Sequence, residues 1–183
     1  INNHNIGGII FSTGNPSRQV NLTNKFQKSS DIPLMISIDG EWGVGMRLDS
    51  VHKFPWNMSL GAIKNNLILE KIGEDIGEQF NRLGIHMNFA PVLDINTNPK
   101  NPIIGNRSYG ENKINVSKKG ISFTKGIQSK NILATAKHFP GHGDTSKDSH
   151  LTLPTIDFSK KRINEVELYP YKRLIKNGLS AIM

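Results

Sequence analysis

Short apolar runs alternate with longer amphipathic stretches along the chain, and this alternation is what most restricts its possible folds. Five runs of strand length occur, over residues 9–12, 33–39, 85–94, 132–137 and 179–183. The clearest stretch between them, residues 67–83, repeats its apolar residues near helical spacing. Further helices are predicted over residues 19–29, 112–130 and 160–177, the last of them bent or divided at Pro170. Strands and helices in this order are typical of an α/β fold with parallel strands.

The composition excludes several other classes of protein. Lys and Arg number 23 against 15 acidic residues, which gives a formal net charge of +8. The basic side chains are scattered and are not interleaved with aromatic ones, so we expect no nucleic-acid partner. No stretch approaches the roughly 18 uninterrupted apolar residues of a membrane span. Cysteine is absent, which excludes disulfides and thiolate chemistry within this sequence.

Polar side chains follow three of the apolar runs directly. Asp39 and Glu41 come after the second run, Asp94 ends the third, and Lys137 and His138 come at the end of the fourth. In parallel α/β folds, ligands bind at the carboxyl ends of the strands. We therefore expect these side chains to lie near one another and to form part of a functional site.

The densest group of ionisable side chains lies between residues 138 and 150, where three histidines and two aspartates occur. Within it, Asp148 can place its carboxylate against one imidazole nitrogen of His150. Such a contact fixes the tautomer and favours the imidazolium, so that the other nitrogen can donate a proton and later accept one. Glycines in this group favour a mobile loop, and we expect His142 and Asp144 to shape that loop.

Four segments of the chain are similar to segments of one enzyme family. They are residues 39–47 (DGEWGVGMR), 84–94 (GIHMNFAPVLD), 104–110 (IGNRSYG) and 137–143 (KHFPGHG), the last followed by Asp-x-His at 148–150. In this order and spacing they resemble glycoside hydrolase family 3, and in particular its bacterial β-N-acetylglucosaminidases. One departure is Trp42, which stands where the family usually has glycine and either stacks on a sugar or packs at the top of the barrel. We expect Trp56 to pack within its own loop.

The resemblance implies a (β/α)8 TIM-type barrel and a retaining mechanism through a covalent glycosyl-enzyme. It implies that Asp148 and His150 form the catalytic acid/base dyad. It also implies that five residues hold the sugar that is cleaved: Asp39, Arg47, Arg107, Lys137 and His138. Charged side chains suit this role because they form strong hydrogen bonds with sugar hydroxyls. No metal or other cofactor is expected.

The length of the chain limits how much of the barrel it holds. An eight-stranded barrel typically needs about 250 residues, so we expect residues 1–183 to be a partial glycoside hydrolase family 3 catalytic barrel of about five strands. The first strand, the C-terminal strands and the aspartate that acts as nucleophile are expected outside it. We expect the chain alone to be inactive.

The function predicted on this basis is hydrolysis of terminal β-linked N-acetylglucosamine, derived from cell-wall fragments. A phosphorylase acting on β-N-acetylglucosaminides, or another β-glycosidase of the same family, is an alternative. Two further hypotheses are a non-catalytic sugar-binding scaffold and a metal-dependent hydrolase. The metal ligands of the latter would be His138, His142, Asp144, Asp148 and His150. We expect a bacterial protein of the periplasm or cell envelope rather than the cytoplasm, and the sequence predicts no oligomeric state.

Overall fold

Five parallel strands form one sheet in the order in which they occur along the chain. The computed structural model describes residues 1–144 and 158–183. The strands are β1 (Gly8–Phe11), β2 (Met35–Ile38), β3 (Met87–Asn88), β4 (Leu133–Ala136) and β5 (Ala181–Ile182). Each strand pairs in parallel with the next. The predicted α/β class and all five predicted strands are therefore confirmed.

The third strand is shorter than predicted, because the expected run 85–94 leaves regular pairing after Asn88. Pro91 lacks the N–H group that would continue a ladder. Val92 pairs again, through a single parallel bridge to Lys137. The chain beyond β3 therefore runs beside β4 as far as Asp94, and it brings that carboxylate to the same end of the sheet as Lys137.

Helices connect the strands. They are α1 (Pro16–Lys28), α2 (Asn57–Gly61), α3 (Leu67–Leu83), α4 (Lys113–Gln128), α5 (Lys160–Glu165) and α6 (Leu168–Ile175). The bounds of α3 are those predicted. The helix expected over residues 160–177 is divided into α5 and α6, and Pro170 lies in the first turn of α6, where its missing N–H removes no helical bond. No helix in the described ranges is long and apolar enough to cross a membrane.

The main core lies between the sheet and helices α3 and α4. Ile36 and Ile38 of β2 are fully buried, as are Ile76 and Phe80 of α3 and Phe123 of α4. This burial fixes the helices against one face of the sheet. The loops that follow the strands are thereby held at a common edge, where the polar residues collect.

Candidate active site

The five residues expected to hold a sugar lie around one pocket at the carboxyl ends of the strands. Asp39 directly follows β2, and Lys137 and His138 directly follow β4. Arg47 follows a 3-10 turn at Val44–Met46, and Arg107 ends another at Gly105–Arg107. The pocket has a volume of about 420 Å³, within the usual range for small-molecule sites. The structure thus brings these five side chains together, whereas their binding roles stay predictions.

Asp39 is held between two cations. Its Oδ1 lies 2.6 Å from Lys137 Nζ, and its Oδ2 lies 2.6 Å from Arg47 Nη2. Burial by itself would raise the pKa of Asp39, but the hydrogen bonds and positive charges of Lys137 and Arg47 outweigh it and hold the pKa below its ordinary value. The Asp39 side chain keeps 24% of its surface exposed, so an ionised carboxylate faces the pocket.

Glu41 forms the buried base of the pocket. Arg107 donates to both of its oxygens, from Nη2 at 2.7 Å and from Nε at 2.9 Å, and Lys137 Nζ lies 2.9 Å from Oε1. Burial opposes the charge of Glu41, yet the bonds and charges of Arg107 and Lys137 lower its pKa below the ordinary value. With both oxygens engaged, Glu41 orients Arg107 and Lys137.

A chain of hydrogen bonds determines the tautomer of His138. Arg107 Nη2 lies 3.1 Å from His138 Nε2, and because a guanidinium can only donate, this nitrogen accepts. The proton of a neutral ring then lies on Nδ1, which is 2.6 Å from Asp94 Oδ2. Asp94 is fully buried, and its Oδ1 also accepts from the backbone N–H of His142 at 2.6 Å. Asp94 therefore organises both His138 and the chain that follows it.

The charges at this pocket balance among the residues that the structure describes. Asp39 and Glu41 line the pocket with Arg47, Arg107 and Lys137, and the third carboxylate, Asp94, is buried beneath His138, where its charge acts on Arg107. His138 adds no charge in the tautomer that its hydrogen bonds require. A dense set of charged donors and acceptors is thus available without a net local charge.

The two residues predicted as the acid/base dyad, Asp148 and His150, lie outside the described residues. On the described side of that segment, Asp144 forms an ion pair with Arg162 of α5 at 2.9 Å. Arg162 also lies over the ring of Phe158. These contacts connect Asp144 with α5 and agree with the expectation that Asp144 shapes the loop.

Trp56, expected to pack within its own loop, lines the pocket and is 48% exposed. Trp42 lines the same pocket and contacts Trp56, with ring centroids 4.2 Å apart. Trp56 precedes α2, a helix of five residues that is too short to show periodicity in the sequence. No signal in the sequence alone distinguishes Trp56 from an ordinary loop aromatic residue.

In the described ranges, no three His, Asp or Glu side chains are placed to hold one metal ion, so the metal-dependent hydrolase has no support from these residues. His138 Nδ1 faces Asp94, and Asp144 faces Arg162. The remaining members of that proposed set, Asp148 and His150, belong to the segment that is not described.

Five parallel strands in chain order, with a charged pocket at their carboxyl ends, are the arrangement found in part of an α/β barrel. The family model described as "Glycosyl hydrolase family 3 N terminal domain" matches residues 1–183, and the chain belongs to this family. The N-terminal domains of this family are TIM-type barrels, and the five described strands are an unclosed part of such a barrel. The family and the fold expected from the four segments are confirmed.

Several known proteins are similar to this chain. "Beta-hexosaminidase A" of Pseudoalteromonas piscicida is 39% identical over 189 residues, covering 96% of this chain and 32% of that protein. The structure of a glycoside hydrolase family 3 beta-N-acetylglucosaminidase from Paenibacillus sp. str. FPU-7 is 42% identical with a TM-score of 0.89, covering 97% of this chain and 35% of that one. A structure described as "Beta-glucoside phosphorylase BglX" is 26% identical with a TM-score of 0.93, covering 97% and 32%. The chain thus spans about a third of the length of these proteins.

Proposed function

We propose that this chain belongs to a retaining β-N-acetylglucosaminidase that hydrolyses terminal β-linked N-acetylglucosamine. The observation that carries the proposal is the pocket in which Asp39, flanked by Lys137 and Arg47, faces solvent at the carboxyl ends of the strands. The names of similar proteins, "Beta-hexosaminidase A" and a beta-N-acetylglucosaminidase, support the choice of sugar.

The pocket has free hydrogen-bonding capacity of the kind that a sugar needs. Each carboxylate oxygen of Asp39 accepts one hydrogen bond from a described residue and has a second lone pair for a sugar hydroxyl. Lys137 has three ammonium protons, and its described partners are the carboxylates of Asp39 and Glu41. We propose that Asp39 accepts from sugar hydroxyls, that Lys137, Arg47 and Arg107 donate to sugar oxygens, and that His138 completes this site.

We propose a double displacement for the reaction. His150 donates a proton to the glycosidic oxygen as the bond from that oxygen to C1 breaks, and an aspartate outside this chain attacks C1 and forms the glycosyl-enzyme ester. The leaving group departs as a neutral alcohol. Water then attacks C1 while His150 takes its proton, and the aspartate is released as a carboxylate. Asp148 favours the imidazolium of His150 that donates in the first step, and afterwards holds the remaining ring proton on its own side, so that the other nitrogen accepts in the second step.

The test uses the complete gene product that carries this chain and a chromogenic β-N-acetylglucosaminide. We expect turnover with retention of the anomeric configuration, observed by NMR of the first-formed product. Asp39→Asn should lower kcat/KM by about 100-fold or more, because two charge-assisted bonds to hydroxyls are lost. Absence of turnover, or inversion of the anomeric centre, would refute the proposal.

Phosphorolysis is the second candidate, because the chain is also similar to the structure described as a beta-glucoside phosphorylase. In that reaction phosphate replaces water in the second step, and the product is a sugar 1-phosphate. Assays with and without inorganic phosphate, with ³¹P NMR of the products, separate the two reactions.

We also propose that residues 1–183 form part of a longer catalytic barrel. Its first strand, its C-terminal strands and its nucleophilic aspartate would lie outside these residues, which agrees with the greater length of the similar proteins. The sources Pseudoalteromonas piscicida and Paenibacillus are bacteria. We propose action on cell-wall fragments in the periplasm or cell envelope, which fractionation of the native host tests directly.

A further inference from the structure

Two tryptophans form an apolar wall on a pocket that is otherwise rich in charge. The ring centroids of Trp42 and Trp56 lie 4.2 Å apart, with the ring planes inclined by 45°. Both rings line the pocket that contains Asp39 and Arg107. Trp56 is 48% exposed, whereas Trp42 is partly buried beside it. The more exposed ring is thus supported from behind by the less exposed one.

The backbone neighbours of both tryptophans are tied to the charged residues of the site. Trp42 directly follows Glu41, which binds Arg107 and Lys137. Trp56 directly precedes Asn57, a fully buried residue whose side-chain amide donates to the carbonyl oxygen of Arg107 at 2.8 Å. The aromatic wall is therefore fixed at the Arg107 side of the pocket.

The charged part of the pocket, around Lys137, lies deeper than the aromatic part, around Trp56. The Lys137 side chain, which binds Asp39 and Glu41 at the bottom, is 3% exposed, whereas Trp56 is about half exposed at the rim. A terminal sugar held by Asp39 and Lys137 would occupy the deep part. If C1 of that sugar faces the rim, the group attached to its glycosidic oxygen passes Trp56.

We propose that Trp56, supported by Trp42, binds the face of the leaving-group sugar, so that the site prefers a saccharide to a small alkyl leaving group. This inference rests on the proposed function. A pyranose ring has polar edges and two faces of C–H groups, and those faces pack well on the flat surface of an indole. The charged residues satisfy the edges of the terminal sugar, and the tryptophan pair supplies a surface for the next sugar along the chain.

The test compares two substrates of the complete gene product, N,N′-diacetylchitobiose and methyl β-N-acetylglucosaminide. They share the terminal sugar and differ in the leaving group. Nitrophenyl glycosides are avoided because their aromatic leaving group would itself stack on Trp56. For Trp56→Ala we expect the ratio of kcat/KM for the disaccharide to kcat/KM for the methyl glycoside to fall about tenfold.

Trp56→Phe, which keeps an aromatic face, should retain most of the wild-type ratio. The matched control is Leu67→Ala, which removes an apolar side chain that is 66% exposed at the start of α3 and should leave the ratio unchanged. If Trp56→Ala does not fold, as judged by circular dichroism, Trp56→Gln takes its place, because glutamine retains more side-chain volume than alanine and has no aromatic ring.

The outcomes separate this inference from the proposed function. If the wild-type protein cleaves neither substrate, the proposed function fails and this inference fails with it. If it cleaves both and Trp56→Ala lowers both rates equally or neither, the proposed function stands and the leaving-group site is refuted. A change of oligomeric state in Trp56→Ala with an unchanged ratio would assign the tryptophan pair to contact with a second copy of the chain, and would also overturn the inference.

Discussion

Glu41 shows how a single buried carboxylate can orient the cations of a pocket. It is 1% exposed and accepts two hydrogen bonds from Arg107, and its Oε1 also faces Lys137 Nζ. Loss of one partner of a buried ion pair leaves the other charges without compensation, and this typically costs about 3–5 kcal/mol. At the residue scale, the geometry of the pocket thus depends on a side chain that lies beneath it.

Glu41→Gln tests this dependence through the pH profile of stability. The folded-state pKa of Glu41 lies below its ordinary value, so the unfolded state binds more protons. Its contribution to stability is complete above the unfolded pKa of about 4.3 and is lost as the pH falls through the lower, folded pKa. In urea unfolding of the complete gene product, we expect Glu41→Gln to be less stable at pH 7. We also expect it to lose less further stability on acidification than the wild type.

Glu111→Gln, which alters an exposed glutamate, is the matched control and should follow the wild-type curve. Equal losses of stability on acidification in the wild type and in Glu41→Gln would show that Glu41 is not held as a carboxylate by Arg107 and Lys137.

Asp94 acts on the site through its neighbours. In Asp94→Asn, one amide oxygen replaces two acceptors, so the Nδ1–H of His138 and the backbone N–H of His142 can no longer both be satisfied. An unsatisfied buried donor costs about 1–3 kcal/mol. Because His138 contacts Arg107, which we propose donates to the sugar, kcat/KM should fall by about 10–100-fold while the protein stays folded.

Steady-state kinetics on a chromogenic β-N-acetylglucosaminide, with circular dichroism of each variant, provide the measurement. Asp75→Asn changes an exposed aspartate of α3 and serves as the control. Unaltered kinetics in Asp94→Asn would show that the hydrogen bond to His138 does not matter to the reaction.

At the scale of elements, helices α3 and α4 approach so closely that their backbones are in contact. A Cβ atom added at Gly126 of α4 would collide with the carbonyl oxygen of Glu70 in α3. One added at Gly73 of α3 would lie 2.6 Å from the carbonyl oxygen of Phe123. This approach allows Phe80 and Phe123 to pack in the same core beneath the sheet.

Gly126→Ala should therefore destabilise the protein, although alanine is a better helix former than glycine by about 1 kcal/mol. Overpacking of this kind costs about 1–3 kcal/mol, and the colliding atom is backbone, which cannot rotate away. Thermal unfolding measures the change. Gly7→Ala is the control, because a Cβ there meets no atom within 4 Å. A rise in melting temperature for Gly126→Ala would show that the two helices are farther apart.

The sequence predicted the elements that carry a strong periodic signal and missed those defined by contacts. Helix α3 was predicted with its observed bounds because its apolar stripe is long and regular. Helix α2 was missed because five residues are too few to show a helical repeat of apolar side chains. The third strand was predicted too long because apolar content alone does not reveal where pairing stops.

Prediction of the site from the sequence was also limited to residues with a local signal. Asp39, Lys137 and His138 were predictable from their positions after apolar runs. The pairing of Arg107 with Glu41 was not, because these residues are 66 positions apart and meet only through the folded loops. Trp56 was missed for a related reason, since its place on the pocket depends on the bond from Asn57 to Arg107.

At the scale of the whole molecule, the five described strands form an unclosed sheet, whereas the N-terminal domains of the family are TIM-type barrels. We predict that residues 1–183 expressed alone will not turn over a chromogenic β-N-acetylglucosaminide, and that the complete gene product will. The reason is that a retaining mechanism needs a nucleophile in addition to the acid/base group. Steady turnover by residues 1–183 alone would show that the nucleophile lies within them.

The balance of three carboxylates and three cations at the described pocket also bears on the media in which the protein can work. Dissolved ions weaken attraction between a charged ligand and an oppositely charged site, but a sugar without charge offers them little to screen. The KM for a neutral glycoside should therefore change less than twofold between about 0.01 M and about 1 M sodium chloride. Such a site would function alike in fresh water and in brine.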